Sequence, residues 1–73
     1  MPARPLPYRE VKRKLEAAGF VEVSTRGSHV KFVRRTEESV RTATGPRHRE
    51  VATGTLRSVL RQAGLDWDEF EKL

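Results

Sequence analysis

Cysteine is absent from this sequence, and histidine occurs only twice. Disulfide bonds and thiolate metal sites are therefore excluded, and two histidines are a poor ligand set for zinc, so we expect neither a metal nor a cofactor. No apolar run approaches the ~20 residues that span a bilayer or the ~7–15 residues of a signal-peptide core. These absences predict an intact cytoplasmic protein that has no membrane partner.

The chain is also short and poor in hydrophobic residues. Its 73 residues and 36% hydrophobic content allow one small domain, which we place over residues 1–73. A chain of this size buries only about 60% of its unfolded surface, so a deep substrate cavity is excluded. The fold must therefore use its few apolar side chains economically.

Basic residues are abundant and unevenly distributed. There are 15 Lys and Arg against 10 Asp and Glu, which gives a formal net charge of +5 at pH 7. Residues 1–36 carry nine basic and three acidic side chains, residues 37–65 carry five and three, and residues 66–73 carry one and four. A basic surface attracts polyanions, so nucleic acid is the leading partner class, although such a surface can also serve solubility alone.

Apolar residues at helical spacing predict two amphipathic helices, over residues 7–18 and 56–63, and each is followed by a glycine. A last helical turn or two begins at Asp66, from which Trp67 and Phe70 can fold back on the core. Basic residues share the solvated sides of the two main helices and are candidate contacts for an RNA backbone: Arg9, Lys12, Arg13, Arg57 and Arg61.

Alternating apolar and polar residues predict an antiparallel sheet. Residues 21–26 have the pattern of a strand whose apolar face is buried, and residues 29–34 continue as a second strand. The Gly27-Ser28 link is so short that the two strands must pair antiparallel. Residues 40–44 predict a weaker third strand at an edge, and residues 45–53 a loop.

The order helix, strand, strand, strand, helix predicts a two-layer α+β domain of α-β-β-β-α order, with both helices on one face of a three-stranded antiparallel sheet. The other face of the sheet stays open. If Val30 and Phe32 point to the helices, His29 and Lys31 must point away from them together.

His29 is the main candidate for chemistry. The sequence has no paired carboxylates at suitable spacing, no phosphate-binding glycine loop and no serine with a recognisable base, which removes most enzyme classes. Imidazole transfers protons near neutral pH, and RNA cleavage needs little more, because the ribose 2′-OH is an internal nucleophile. Lys31 would then offset charge on the phosphate. The simpler alternative is a structural or merely exposed histidine.

Several short motifs follow one another at defined intervals. They are Gly19-Phe20, Gly27-Ser28-His29, Pro46-Arg47-His48, and Gly54-Thr55-Leu56-Arg57-Ser58-Val59-Leu60 with Ala63-Gly64. Their order and spacing resemble the HicA family of mRNA interferase toxins, and the resemblance extends over roughly residues 7–70. The pairing of a Gly-Ser-His turn with a Gly-Thr-Leu-Arg helix start is what makes it specific.

The resemblance implies a fold like the double-stranded RNA-binding domain, in agreement with the order of elements. It further implies the toxin of a type II toxin–antitoxin system, an endoribonuclease that cleaves mRNA and is held inactive by a cognate HicB-like antitoxin. His29 would be the catalytic residue, presented by Gly27 and Ser28. His48 matches a histidine that often follows the family's proline, and is a further candidate contact for RNA.

Two other functions remain open from the sequence. A non-catalytic RNA-binding module would use the same basic helix faces to hold phosphates and would display His29 as a mere contact. An adaptor in a larger complex would show no RNA affinity in a salt titration. We rank these second and third.

Overall fold

The computed structural model describes residues 3–73 and contains eight secondary-structure elements there. They are β1 (Leu6–Pro7), α1 (Tyr8–Ala17), β2 (Val21–Arg26), β3 (His29–Arg35), β4 (Val40–Pro46), β5 (Glu50–Val51), α2 (Thr53–Ala63) and α3 (Trp67–Glu71). The predicted α+β class and the α-β-β-β-α order of the main elements are confirmed. β1 and β5 form an additional antiparallel pair of two residues each, within segments for which the sequence pattern predicts no strand.

The three-stranded sheet has the order β2-β3-β4, and both pairings are antiparallel. Val30 and Phe32 of β3 are buried on the side of the helices, together with Ala43, which lies opposite Phe32 on β4. His29 and Lys31 alternate with these residues and are exposed. The sheet therefore has one covered face and one open face, and His29 and Lys31 are on the open face, as the alternation predicts.

The orientation of β2 differs from the expectation. Its valines, Val21 and Val23, are 62% and 48% exposed, so they are on the open face rather than in the core. Glu22 takes the inward position, where its carboxylate lies 3.0 Å from the Lys12 ammonium of α1. A shift in register between Glu22 and Ser24 marks a β-bulge in this strand. The predicted strand is present, but the prediction that its apolar side chains are buried is wrong.

The helical layer packs one apolar stripe of each main helix against the sheet. Its buried residues are Val11 and Leu15 of α1, and Leu56, Val59, Leu60 and Ala63 of α2. α2 is followed by Gly64, which caps it with a left-handed φ of +73°. A Cβ atom at Gly64 would come within 2.6 Å of the Arg41 guanidinium, but this exposed side chain can move aside, so the left-handed conformation is what requires glycine there.

The short helix α3 is capped at both ends. The Asp66 side chain accepts from the Glu69 amide at 2.8 Å, and the Glu69 side chain accepts from the Asp66 amide at 3.1 Å. The Lys14 ammonium donates to three carbonyl oxygens at the other end, those of Phe70, Glu71 and Leu73, at 3.4, 3.1 and 3.0 Å. Phe70 is fully buried, and Trp67 is half-buried against the core. The prediction that these two side chains of α3 pack on the core is therefore confirmed.

A single hydrophobic core fills the space between the helices and the sheet. Its largest fully buried side chains are Phe20, Phe32, Phe70, Leu15 and Leu56. The Arg34 guanidinium covers the Phe20 ring at 5.2 Å from its centroid. Within residues 3–73, no helix has both the length and the apolar character to cross a membrane.

Candidate functional site

His29 lines an open depression of about 480 Å³ on the open face of the sheet. All three strands contribute to it, and its lining residues are Ser24, Thr25, Arg26, His29, Lys31 and Thr44. Lys31 therefore lies in the same depression as His29, as the sequence predicts. We call this group of six residues the His29 depression.

The strand register explains why these residues meet. Arg26 and His29 are direct partners across the two-residue turn between β2 and β3. One row further along the sheet, Lys31 has Ser24 on one side and Thr44 on the other. Five of the six lining residues thus come from two cross-strand rows at the turn end of the sheet, and the sixth, Thr25, pairs with Val30 in the row between them.

The turn that presents His29 is held by its backbone. Gly27 has a φ of +59°, a left-handed conformation that favours glycine, although a Cβ atom there would meet nothing within 4 Å. The amide of Arg47, the residue after β4, donates a hydrogen bond to the carbonyl oxygen of Ser28. This bond extends the β3–β4 ladder into the turn, and fixes the start of the strand that carries His29.

Thr44 is held from the opposite side of the depression by Gln62 of α2. The Thr44 amide donates to Gln62 Oε1 at 3.0 Å, and Gln62 Nε2 donates to the Thr44 carbonyl oxygen at 3.3 Å. The carboxamide therefore satisfies both backbone groups of an edge-strand residue. This keeps the rim of the depression in place.

The electrostatic character of the depression is cationic. Arg26 and Lys31 are both exposed, and none of the six lining residues has a carboxylate. The nearest acidic group on β2 is Glu22, which accepts a hydrogen bond from Thr25 Oγ1 at 3.1 Å but belongs to the ion pair with Lys12. The hydrogen bonds from Lys12 and Thr25 lower the pKa of Glu22 below its ordinary value, so this pair stays charged at neutral pH.

The basic helix residues are in the other layer. Arg9, Lys12, Arg13, Arg57 and Arg61 belong to α1 and α2, which cover the face of the sheet opposite to His29. Two of them are ion-paired: Lys12 with Glu22 at 3.0 Å, and Arg13 with Glu10 at 2.9 Å. Arg9 lines a second surface depression with Pro7, Arg49 and Glu50. The structure does not bring these five residues together with His29.

His48 is also outside the His29 depression. It is exposed in the loop between β4 and β5, two residues after Pro46, the direct partner of His29 on β4. Sequence reasoning missed the other four residues of the depression: Ser24, Thr25, Arg26 and Thr44. The position of Arg26 could have been predicted from the sequence, because a two-residue turn makes the residues on either side of it cross-strand partners. The position of Thr44 beside Lys31 could not, because it depends on the length of the β3–β4 connection.

Metal ligands are scarce in the described part of the chain. Within residues 3–73, no three His, Asp or Glu side chains are close enough to hold a metal ion. The chemistry available at the His29 depression is therefore that of one imidazole, two cations and three hydroxyl groups.

The small basic α+β domain with this site belongs to a known class, the toxins of bacterial toxin–antitoxin systems. The family model of the HicA toxins matches residues 8–65 of the 73-residue chain. The chain is thus a member of the HicA toxin family, as its motifs indicate, and a cognate antitoxin is the partner that this membership implies. Among curated proteins, no sequence matches the chain significantly. β1 and α3 lie outside the matched segment.

Proposed function

We propose that this toxin is a metal-independent endoribonuclease that cleaves mRNA and that His29 is its catalytic residue. The observation that carries the proposal is the position of His29, exposed in a cationic depression whose lining has no carboxylate. A phosphodiester is attracted to such a surface, whereas a carboxylate there would repel it. Membership of a toxin family supports an activity that harms the host cell.

The reaction requires only groups that the depression and the RNA supply. His29 removes the proton from the ribose 2′-OH, and the oxygen attacks the adjacent phosphorus. The bond from phosphorus to the 5′ oxygen breaks, and that oxygen takes up a proton from Lys31 or from solvent. The products are a 2′,3′-cyclic phosphate and a 5′-OH. Arg26 and Lys31 stabilise the negative charge that develops on the phosphate oxygens.

The RNA backbone is proposed to contact both layers of the domain. Arg26 and Lys31 hold the phosphate at His29, and Arg9, Lys12, Arg13, Arg57 and Arg61 provide contacts on the helices. These sets are on opposite layers, so a bound strand must bend around the domain to reach both. The molecule measures 17 Å along its shortest axis, a distance that a few nucleotides can span.

A non-catalytic RNA-binding module remains the second candidate. One observation favours it: the depression contains a single imidazole, so no second histidine is in place to return a proton to the leaving oxygen. Under this function, His29 would be a contact to phosphate or base only. Loss of cleavage without loss of binding in a His29 variant distinguishes the two functions.

The purified protein is expected to cleave single-stranded RNA equally well in EDTA and in magnesium, because no metal takes part in the proposed reaction. Cleavage is measured on end-labelled RNA, with a strand of the same sequence that has 2′-O-methyl groups as the control. The control should stay intact, since it lacks the nucleophile. Loss of activity in EDTA with recovery on adding magnesium, or cleavage of the methylated strand, would contradict the proposed chemistry.

Removing cations from the two layers should have different effects on the salt dependence of RNA binding. Arg26→Gln with Lys31→Gln should lower the slope of log K against log salt by up to about 0.7 for each phosphate that the protein no longer neutralises. Arg57→Gln with Arg61→Gln removes the same charge from the helical layer and should lower the slope less. Binding is measured with the uncleavable methylated RNA. A slope changed only by the helix variant would place the RNA away from His29.

A further inference from the structure

The two cross-strand rows at the His29 depression differ in their chemistry. The row at the turn consists of Arg26, His29 and Pro46, so its polar side chains are one cation and the imidazole. The other row consists of Ser24, Lys31 and Thr44, which places a neutral hydroxyl group on each side of an ammonium group. We call this second set the hydroxyl row. Neutral hydroxyl groups add little to the attraction of a polyanion, so they indicate a contact with a part of the RNA other than its charge.

The hydroxyl groups of this row are available to a ligand. Ser24 and Thr44 are exposed, and within residues 3–73 neither hydroxyl is hydrogen-bonded to another protein group. The third hydroxyl of the depression differs, because Thr25 Oγ1 donates to Glu22 at 3.1 Å. Adjacent strands are about 4.8 Å apart, so Ser24 and Thr44 lie about 10 Å apart on either side of Lys31. Because both side chains are short, the row leaves space for a nucleobase above it.

Both hydroxyl groups are carried by backbone that is held in place. The Thr44 amide and carbonyl oxygen are bound by the Gln62 carboxamide, which also donates to the Ser58 carbonyl oxygen at 3.3 Å. Ser24 borders the β-bulge of β2, and bulges beside active sites direct a side chain toward the site. A hydroxyl on fixed backbone discriminates between ligands, because it cannot follow a base whose polar atoms are placed differently.

The proposed reaction defines the direction in which RNA crosses the sheet. The attacking and leaving oxygens are roughly in line on opposite sides of the phosphorus. The attacking 2′ oxygen, whose proton His29 removes, belongs to the nucleotide on the 5′ side of the cleaved bond. The leaving 5′ oxygen belongs to the nucleotide on the 3′ side and is directed toward Lys31, which is two residues, or about 7 Å, further along β3. The nucleotide on the 3′ side therefore lies over the hydroxyl row.

We propose that the hydroxyl row is the subsite for the nucleotide on the 3′ side of the cleaved bond, and that Ser24 and Thr44 set the preference for its base. This inference rests on the proposed nuclease function. Each hydroxyl can donate to a base edge or accept from it, whereas the Lys31 ammonium only donates. The four bases differ in where their donors and acceptors lie, so three fixed groups favour some bases over others.

The test measures which base follows the cleaved bond. The protein is incubated with an RNA library of random sequence, and sequencing of both fragments gives the base on each side of every cleaved bond. Ser24→Ala with Thr44→Val should reduce the rate ratio between the most and least favoured base on the 3′ side by about tenfold, as expected for the loss of two neutral hydrogen bonds. The preference on the 5′ side should not change.

Two single variants serve as controls for the double variant. Thr42→Val removes a hydroxyl from an exposed position of the same strand, two residues from Thr44 and outside the depression, and should leave the preference on the 3′ side unchanged. Thr44→Ser keeps the hydroxyl group and should also retain the preference. Loss of the preference in Thr42→Val to the same degree as in the double variant would contradict the assignment of the subsite.

A substrate without a nucleotide on the 3′ side separates base recognition from catalysis. In a uridine 3′-phosphate ester of p-nitrophenol, the leaving group is a phenol, so no base lies over the hydroxyl row. The parent and the double variant should cleave this ester at the same rate, although the double variant cleaves the favoured RNA sequence more slowly. An equal loss of rate on the ester and on RNA would overturn the subsite, because the two hydroxyls would then act on the phosphate.

The subsite and the nuclease function fail in different ways. If the parent cleaves neither RNA nor the ester, the nuclease function is wrong, and the subsite is wrong with it. If the parent cleaves both but has no preference on the 3′ side, or shares its preference with the double variant, the subsite is wrong and the nuclease function stands. The same result follows if the double variant loses rate equally for all four bases, since Ser24 and Thr44 would then not read the base.

Discussion

His29→Ala is expected to reduce RNA cleavage by about 10²–10⁴-fold, the usual contribution of a positioned general acid or base, and to leave the fold intact. The imidazole is exposed on the open face, so its removal opens no core cavity. Stability should change by less than about 1 kcal/mol, as for other surface substitutions. RNA binding should also persist, because one imidazole adds little to the attraction of 15 Lys and Arg side chains for phosphates.

Cleavage, thermal unfolding and binding of uncleavable RNA should be measured on the same preparations of His29→Ala. His48→Ala is the matched control, since it removes the other histidine of the chain from an exposed loop outside the His29 depression. If His29→Ala unfolds, His29 has a structural role. If it folds and cleaves RNA as the parent does, the assignment of the catalytic site is wrong, even though the fold and family are unaffected.

Phe70→Ala is expected to destabilise the domain by about 3–5 kcal/mol, the usual effect of removing a fully buried aromatic ring. A domain of 73 residues has a net stability of roughly 4–11 kcal/mol, so this variant should lose a large part of its stability. The ring is 0% exposed, and the Lys14 ammonium lies 5.6 Å from its centroid. The measurement is the denaturant midpoint at constant slope.

Asp68→Ala is the control for Phe70→Ala, because Asp68 lies in the same helix and its side chain is exposed. It should leave the denaturant midpoint nearly unchanged. Phe70 is five residues beyond the segment that the family model matches, so the prediction also concerns the extent of the folding unit. A Phe70→Ala protein with the midpoint of the control would show that α3 is dispensable for folding.

The sequence predicts the main elements well, for a physical reason. Periods of 3.6 and 2 arise directly from helix and strand geometry, so α1, α2 and the β2–β3 hairpin leave a clear signal. Periodicity does not reveal which side of a strand is buried, and β2 accordingly has Glu22 inward and its valines outward. β1 and β5 are two residues long, too short for any period to be detected.

The candidate site was predictable only along one strand. Alternation on β3 placed His29 and Lys31 on the same face, because both residues belong to one periodic segment. Thr44 is on β4 and lies beside Lys31 because β4 pairs with β3. The register of that pairing is set by the β3–β4 connection. The separation of the helix cations from His29 depends on which face the helices cover, which is decided by packing of the whole chain.

The hydrogen bonds between Gln62 and the Thr44 backbone affect the tendency of the chain to aggregate at high concentration. An unpaired strand edge is a template to which another chain can add a strand, and this leads to aggregation. The Gln62 carboxamide occupies the position that an added strand would take on β4. The opposite edge, β2, is interrupted by the bulge at Val23. A toxin that accumulates ahead of its antitoxin can therefore remain dispersed, although it exposes valines on the face of the same sheet.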